Sequence, residues 1–120
     1  MILGVGVDIV GVGRLKEALS RTPRLKERLF TEEEISYCES KPRPEEHYAA
    51  RFAVKEALAK ALGFKPRWEE AEVRVDRSGK PHIALKGSLA EKLKGLTVHI
   101  SLSHHGDYAV AIVVVERRAP

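Results

Sequence analysis

Apolar and polar positions alternate at the start of the chain, where residues 2–10 read ILGVGVDIV. The odd-numbered positions 3–9 are all apolar, whereas glycines and one acid, Asp8, interrupt the even-numbered positions. A period of two residues is typical of a β-strand. The pattern therefore predicts a strand over residues 2–10, with Asp8 projecting on the face where Gly4 and Gly6 leave room.

The same glycines do not form a dinucleotide-binding loop. A GxGxxG pattern that begins at Gly4 needs glycine at position 9, which is Ile9, and one that begins at Gly11 needs it at Lys16. The sequence therefore excludes that loop, and Asp8 needs another explanation.

Helical periodicity follows this strand. Residues 12–29 predict one or two short helices, broken near Thr22 and Pro23. Thr31 and Glu34 form a capping pattern, which predicts that a helix begins there. An alanine-rich helix is predicted from position 45 to a C-cap at Gly63; because apolar residues surround most of it, we expect it to pack on more than one side.

The C-terminal half reads mainly as strands. EVRVDRSGKPHIAL predicts a hairpin with its turn at Ser78–Gly79, and GSLAEKLKG predicts a short helix capped by Ser88. TVHISLSH and YAVAIVVVE predict two final strands joined at positions 105–107. This order predicts an α+β fold in one domain, residues 1–120, with an antiparallel sheet packed on a long central helix.

Composition and cysteine content indicate a soluble cytoplasmic protein. The chain is 43% hydrophobic and 32% charged, and no apolar run reaches the length of a membrane span. Its one cysteine, Cys38, cannot form an internal disulfide, which fits a reducing compartment. No histidine pattern lies beside Cys38, so we expect it to be inert.

The net charge of +4 is localised. Residues 14–28 hold six basic and two acidic residues, so this segment alone accounts for the whole net charge. A solvated helix face is one interpretation of this segment. A localised basic patch after an unusual strand favours the other, a surface that binds an acidic partner.

Charged residues on the central helix are candidates for a functional site. Glu56 and Lys60 share one helical stripe with Phe52, and Arg51 and Lys55 form the neighbouring stripe. A helical ion pair between Glu56 and Lys60 is the simplest interpretation.

The presence of Asp8 favours a second interpretation of Glu56, as part of a metal site. Two partly buried carboxylates, Asp8 and Glu56, from separate elements suit a hard cation such as Mg²⁺, which prefers about one or two carboxylates with waters and phosphates. The adjacent cations would complement phosphates, as phosphoryl-type transfer requires. A carboxylate pair could also serve glycoside hydrolysis, but the cationic neighbours and the lack of a stacking aromatic cleft disfavour it.

Ser103 and His104 stand where a predicted strand meets its turn. Such a junction suits phosphate binding, although it is also compatible with a plain polar turn. A nucleophilic Ser–His couple is disfavoured, because adjacent strand residues point to opposite faces.

Five stretches carry a resemblance to a known family: GVGVDIVGVGRL, FTEEEISYC, RFAVKEALAKALG, SGKP and HISLSHHGDYAVAIVVVE. Together they resemble the holo-acyl-carrier-protein synthases of the 4′-phosphopantetheinyl transferase superfamily, in family order from residue 2 to about residue 116. These enzymes move the phosphopantetheine arm of coenzyme A to a serine of acyl carrier protein, in support of fatty acid biosynthesis, and they use magnesium.

The resemblance implies roles for individual residues. It implies magnesium ligands at Asp8 and Glu56. For such a transfer we expect catalytic roles for Glu56 and Lys60: the general base is either Glu56 acting through a water or a metal-bound water, and Lys60 stabilises charge on the leaving phosphate. The resemblance also implies coenzyme A contacts and a surface for the acidic carrier protein, at two sets of residues. The coenzyme set is Arg51, Lys55, Lys60, Ser103 and His104, and the carrier set is Arg14, Arg21, Arg24 and Arg28. It further implies a homotrimer with sites between subunits.

The chain departs from the family pattern in two places. Gly63-Phe64-Lys65 replaces a frequent Gly-Thr-Gly, and Asp76-Arg77 stand where an asparagine is frequent before the Gly-Lys-Pro turn. Two other classes of protein remain as alternatives. One is a basic nucleic-acid-binding domain, although residues 14–28 lack the interleaved aromatics that stack on bases. The other is a non-catalytic subunit with a structural ion pair.

Overall fold

The structure is a computed structural model that describes residues 1–119, and it has the predicted α+β architecture. The helices are α1 (Val12–Arg21), α2 (Leu25–Leu29), α3 (Glu32–Glu39), α4 (Pro44–Leu62) and α5 (Gly87–Lys92). The strands are β1 (Ile2–Gly11), β2 (Ala71–Val75), β3 (Pro81–Leu85), β4 (Leu96–His105) and β5 (Tyr108–Arg117). A 3₁₀ turn, Trp68–Glu70, precedes β2.

Two antiparallel sheets organise the fold. β1, β5 and β4 form a three-stranded sheet in that order, and β2 pairs with β3 in a separate hairpin. Helix α4 lies along the inner face of the larger sheet and also contacts α1 and α3. One apolar cluster lies between α4, the sheet and α5, and a second between α4, α1 and α3. The prediction that α4 packs on more than one side is confirmed.

Gly4 and Gly6 allow α4 to approach β1 closely. A Cβ atom at Gly4 would overlap the carbonyl oxygen of Ala61, and one at Gly6 would overlap that of Ala57. The room predicted on this face is therefore filled by the helix backbone. Asp8, two residues further along the same face, carries its carboxylate into a cleft beside the helix.

The helix ends follow the predicted signals with one exception. The Thr31 hydroxyl and the Glu34 carboxylate form both hydrogen bonds of a capping box, and Gly63 ends α4 in a left-handed conformation (φ 82°). The prediction that Ser88 caps the short helix is wrong, because α5 begins at Gly87. The backbone N–H and hydroxyl of Ser88 instead donate to the Glu70 carboxylate.

The outer face of the larger sheet is apolar and uncovered. Val7 pairs with Ile112 and Ile9 with Val110 across β1 and β5, and Val7 and Ile112 are 57% and 43% exposed. The apolar odd face of β1 therefore lies outside the core of the chain. No helix within residues 1–119 is both long and apolar enough to cross a membrane.

Candidate active site

Asp8 and Glu56 line one cleft of about 390 Å³ between β1, α1 and α4. Arg14 of α1 and Phe52 of α4 also line it. Asp8 reaches it from the inner face of β1, and Glu56 from the stripe of α4 that Phe52 shares. The fold thus brings together the two carboxylates that the sequence singled out.

Lys60 is bonded to the strand. Its Nζ donates to Oδ1 of Asp8 (3.1 Å) and to the carbonyl oxygen of Val7 (3.0 Å). The helical ion pair between Lys60 and Glu56 is therefore not formed. Within residues 1–119, Glu56 has no hydrogen-bond or ion-pair partner, so its carboxylate is available to a ligand.

The donor set of the cleft fits magnesium. In the described part of the chain, no group of three or more His, Cys, Asp or Glu side chains could hold a metal by itself. Two carboxylates in an open cleft match the one or two that Mg²⁺ usually takes from a protein. The other coordination positions would belong to waters and substrate phosphates.

Lys55 lies in the core and outside this cleft. Its side chain is 0% exposed, and its Nζ donates to Oε1 of Glu34 and to the carbonyl oxygen of Trp68, both at 2.8 Å. Burial lowers the pKa of Lys55, and the Glu34 carboxylate opposes this shift. The structure therefore does not bring Lys55 to the site predicted for coenzyme A; it gives Lys55 a structural partner.

Arg51 and His104, both predicted as coenzyme A contacts, lie in a second group of side chains, the histidine cluster, together with Tyr37 and His47. The sequence analysis did not predict the part that His47 takes in it. Arg51 lies over the ring of Tyr37, with its guanidinium carbon 4.1 Å from the ring centroid. His47 contacts the rings of Tyr37 and His104 edge to face, at centroid distances of 5.8 and 5.3 Å. The available sequence signal was the i, i+4 spacing of His47 and Arg51, which places them on one stripe of α4.

The two clusters lie on opposite flanks of α4. Asp8 is on β1 and His104 is on β4, with β5 between them, so their strands are about 10 Å apart. His47 and Glu56 are nine residues apart on α4, which is about two and a half turns and places them on opposite faces. The helix therefore separates the carboxylate cleft from the histidine cluster within one chain.

Ser103 lies apart from both clusters. It is exposed on the outer face of β4, in a groove that Val7, Val110 and Ile112 also line. His104 projects to the inner face, as the alternation along a strand requires. The structure therefore does not bring Ser103 and His104 together.

The predicted carrier-binding arginines are all exposed. Arg14 and Arg21 lie seven residues apart on α1 and so share a face, and Arg14 lines the cleft itself. Arg24 precedes α2 in a left-handed conformation (φ 68°), and Arg28 follows on α2. Arg21 is paired with Glu17. The basic face therefore reaches the carboxylate cleft at Arg14.

Comparisons with known proteins agree with the resemblance. Residues 4–113 match the 4′-phosphopantetheinyl transferase superfamily. The holo-(acyl-carrier-protein) synthase of Geobacter sulfurreducens is 46% identical over 125 residues, which cover 98% of this chain and 99% of that relative.

Solved structures are also similar to this one. The crystal structure of holo-(acyl-carrier-protein) synthase from Neisseria meningitidis has a TM-score of 0.88 at 32% identity, covering 97% of this chain and 99% of that one. The Bacillus anthracis enzyme, solved in complex with CoA (3′,5′-ADP), has a TM-score of 0.83 at 35% identity, with 98% and 99% covered. The chain therefore belongs to the 4′-phosphopantetheinyl transferase superfamily, and within it to the holo-(acyl-carrier-protein) synthases.

Proposed function

We propose that this protein transfers the 4′-phosphopantetheine arm of coenzyme A to a serine of an acidic acyl carrier protein, with Mg²⁺ as cofactor. One observation carries the proposal. Asp8 and Glu56 line one cleft, Lys60 is bonded to Asp8, and Arg14 of the basic face of α1 lines the same cleft. These residues would give a metal site, a phosphate-complementing cation and a surface for an acidic protein next to one another.

The reaction is a phosphoryl-type transfer. The serine hydroxyl oxygen attacks the β-phosphorus of coenzyme A and forms a new P–O bond. The P–O bond to the 3′,5′-ADP portion breaks, and 3′,5′-ADP leaves with the bonding electrons. The serine proton must pass to a base, and Glu56, acting through a water, is one candidate because its carboxylate has no hydrogen-bond or ion-pair partner in the described chain.

Asp8 and Glu56 would hold the magnesium ion, which when bound supplies charge neutralisation at the pyrophosphate. Lys60 would stabilise negative charge on the departing phosphate, since its ammonium is already bonded to Asp8, which lines the cleft. Arg14, which lines the cleft and starts the basic face, would orient the carrier so that its serine enters beside Glu56.

The partner is an acidic carrier protein, which electrostatic attraction would steer to the patch at Arg14, Arg21, Arg24 and Arg28. Nucleic acid binding is disfavoured because this patch holds no exposed aromatic side chains for bases to stack on. We place the protein in the cytoplasm, where it would support fatty acid biosynthesis.

We propose that the active enzyme is a homotrimer whose sites lie between subunits. The uncovered apolar face of β1 and β5 supports burial against further copies of the chain. The separation of His104 and Arg51 from Asp8 by α4 supports a composite site. One coenzyme A would then contact the carboxylate cleft of one copy and the histidine cluster of its neighbour.

Mass spectrometry tests the activity directly. Incubation with apo carrier protein, coenzyme A and Mg²⁺ should add one phosphopantetheine to the carrier, and Asp8→Ala should abolish this gain. Glu91→Gln, an exposed substitution on α5, is the control and should leave the gain unchanged. An absence of mass gain with a carrier that another transferase modifies would reject the proposal.

Mixing two inactive variants tests the composite site. If each site combines Asp8 of one copy with His104 of another, Asp8→Ala and His104→Ala mixed under subunit exchange should recover about a quarter of wild-type activity. If one chain supplies both residues, the mixture should show no more activity than the average of the two variants. The second result would reject the composite site without affecting the proposed reaction.

A further inference from the structure

His47 lies at the centre of a cluster that joins three elements. Its ring contacts Tyr37 of α3 at a centroid distance of 5.8 Å and His104 of β4 at 5.3 Å. His47 itself is partly buried on α4, four residues before Arg51. Within residues 1–119 its ring nitrogens have no hydrogen-bond partner, and its aromatic contacts are with Tyr37 and His104.

Positive charge dominates the groups that face this ring. Arg51 and Lys41 lie over the ring of Tyr37, at 4.1 and 4.7 Å from its centroid. The one carboxylate is Glu46, whose Oε1 lies 3.8 Å from Nδ1 of His104. Arg51 is 3% exposed, and its buried Nε has no hydrogen-bond partner in the described chain. An unpartnered buried donor among cations is suited to an anion.

The surroundings of His47 favour its neutral form when no anion is present. Burial lowers the pKa of His47, and the neighbouring His104, Arg51 and Lys41 lower it further, against the opposing effect of Glu46. An anion placed against His104 and Arg51 would reverse this balance, because a nearby negative charge favours the protonated imidazole.

We propose that His47 is a positioning residue for His104, and that a phosphate monoester bound against His104 and Arg51 is taken up together with a proton on His47. This inference rests on the proposed function, in which the phosphate monoester is the 3′-phosphate of coenzyme A. The protonated His47 adds a charge to the subsite and holds the His104 ring by its edge. Binding and protonation are then linked.

The coupling of binding to protonation predicts how the affinity for coenzyme A depends on pH. Because the bound state holds a proton that the free state lacks, affinity for coenzyme A should rise as pH falls from about 8 to about 6.5. Dephospho-coenzyme A, which lacks the 3′-phosphate, should show no such dependence on His47. The range stops near 6.5 because the phosphate itself begins to take up its second proton near pH 6.

Isothermal titration calorimetry in two buffers of different ionisation enthalpy measures proton uptake on binding. His47→Phe keeps an aromatic edge between Tyr37 and His104 but cannot be charged. We expect it to take up fewer protons than wild type and to bind coenzyme A about threefold to tenfold more weakly at pH 6.5, with little change near pH 8.5. His82→Gln, an exposed histidine of β3, is the control and should behave as wild type.

Two results would overturn the inference. Equal proton uptake in wild type and His47→Phe would show that His47 is not the group that takes the proton. A His47-dependent uptake with dephospho-coenzyme A as large as that with coenzyme A would show that the 3′-phosphate is not the cause. Either result leaves carrier modification intact, whereas a protein that binds neither ligand and modifies no carrier would reject the proposed function itself.

Discussion

Lys60 holds Asp8 by an ion pair in which Nζ lies 3.1 Å from Oδ1, and the same ammonium bonds the carbonyl oxygen of Val7. The pair spans α4 and β1. The Asp8 side chain is 16% exposed and that of Lys60 is 56% exposed, so the lysine can leave the carboxylate without unfolding its surroundings. The Lys60 ammonium thus pairs with one of the two proposed magnesium ligands, and it can pair with a bound phosphate instead.

Lys60→Met should therefore have opposite effects on metal and on coenzyme. Removal of a cation that competes for Asp8 should strengthen binding of Mn²⁺, used as a paramagnetic substitute for Mg²⁺, by about threefold to tenfold. Coenzyme A binding and turnover should weaken, because the phosphates lose a cation. Electron paramagnetic resonance titration measures the first effect, and weaker Mn²⁺ binding in the variant would contradict the competition.

The basic face should control carrier binding. Arg21→Glu reverses a charge on the exposed face of α1, away from the two carboxylates, so we expect the KM for carrier protein to rise about tenfold or more. The kcat and the KM for coenzyme A should change little. Arg77→Glu, in the exposed turn between β2 and β3, is the matched control. Equal effects of the two substitutions would argue for net charge alone and against a defined docking face.

Asp8 and Glu56 could be located from sequence because each is an acid within a short, strongly periodic apolar segment. Lys55 and Lys60 could not be told apart in the same way. They are five residues apart and so point about 140° from each other on the helix. Which of the two lysines faces the core depends on how α4 packs on β1 at Gly4 and Gly6. That packing is a tertiary contact, which the local sequence pattern does not determine.

The histidine cluster and the outer sheet face were unpredictable for related reasons. The contact of His47 with His104 joins residues that are remote in sequence, and only the packing of α4 on β4 brings them together. The odd face of β1 is apolar, and the pattern alone does not distinguish a face covered by the same chain from one available to another copy.

Gly6→Ala should disrupt the close packing of α4 on β1. The added methyl group would overlap the carbonyl oxygen of Ala57, so the strand and helix must separate. We expect a loss of about 2–4 kcal/mol in the free energy of unfolding, measured by urea denaturation. Gly13→Ala on α1, where nothing lies within 4 Å of the added atom, should be neutral or stabilising. A small effect at Gly6 would contradict the close approach.

Lys55→Met should destabilise the protein because it removes the ion-pair partner of the buried Glu34 carboxylate. The substitution leaves the Glu34 carboxylate buried without the ammonium, and such losses typically amount to about 3–5 kcal/mol. The second variant, Lys55→Met with Glu34→Gln, should recover part of this loss because no buried charge is left unpaired. The free energy of unfolding of both variants is measured by urea denaturation. Their affinity for coenzyme A is measured separately on the folded protein. Unchanged stability together with lost coenzyme affinity would instead favour Lys55 as a coenzyme contact.

Glu72 should make stability depend on pH in the acid range. Although burial alone raises the pKa of its carboxyl, hydrogen bonds from Lys86 and Arg74 lower it to about 2. Because the folded-state pKa lies below the ordinary value of 4.5, the carboxylate stabilises the fold above that value, and the stabilisation is lost as pH falls toward 2. Solvent screens both partners, which are about half exposed, so we expect Glu72 to account for about 1–2 kcal/mol between neutral pH and about pH 3. Urea denaturation of Glu72→Gln at the two pH values should show a correspondingly flatter dependence than wild type, and parallel profiles would show that other carboxylates cause the acid loss.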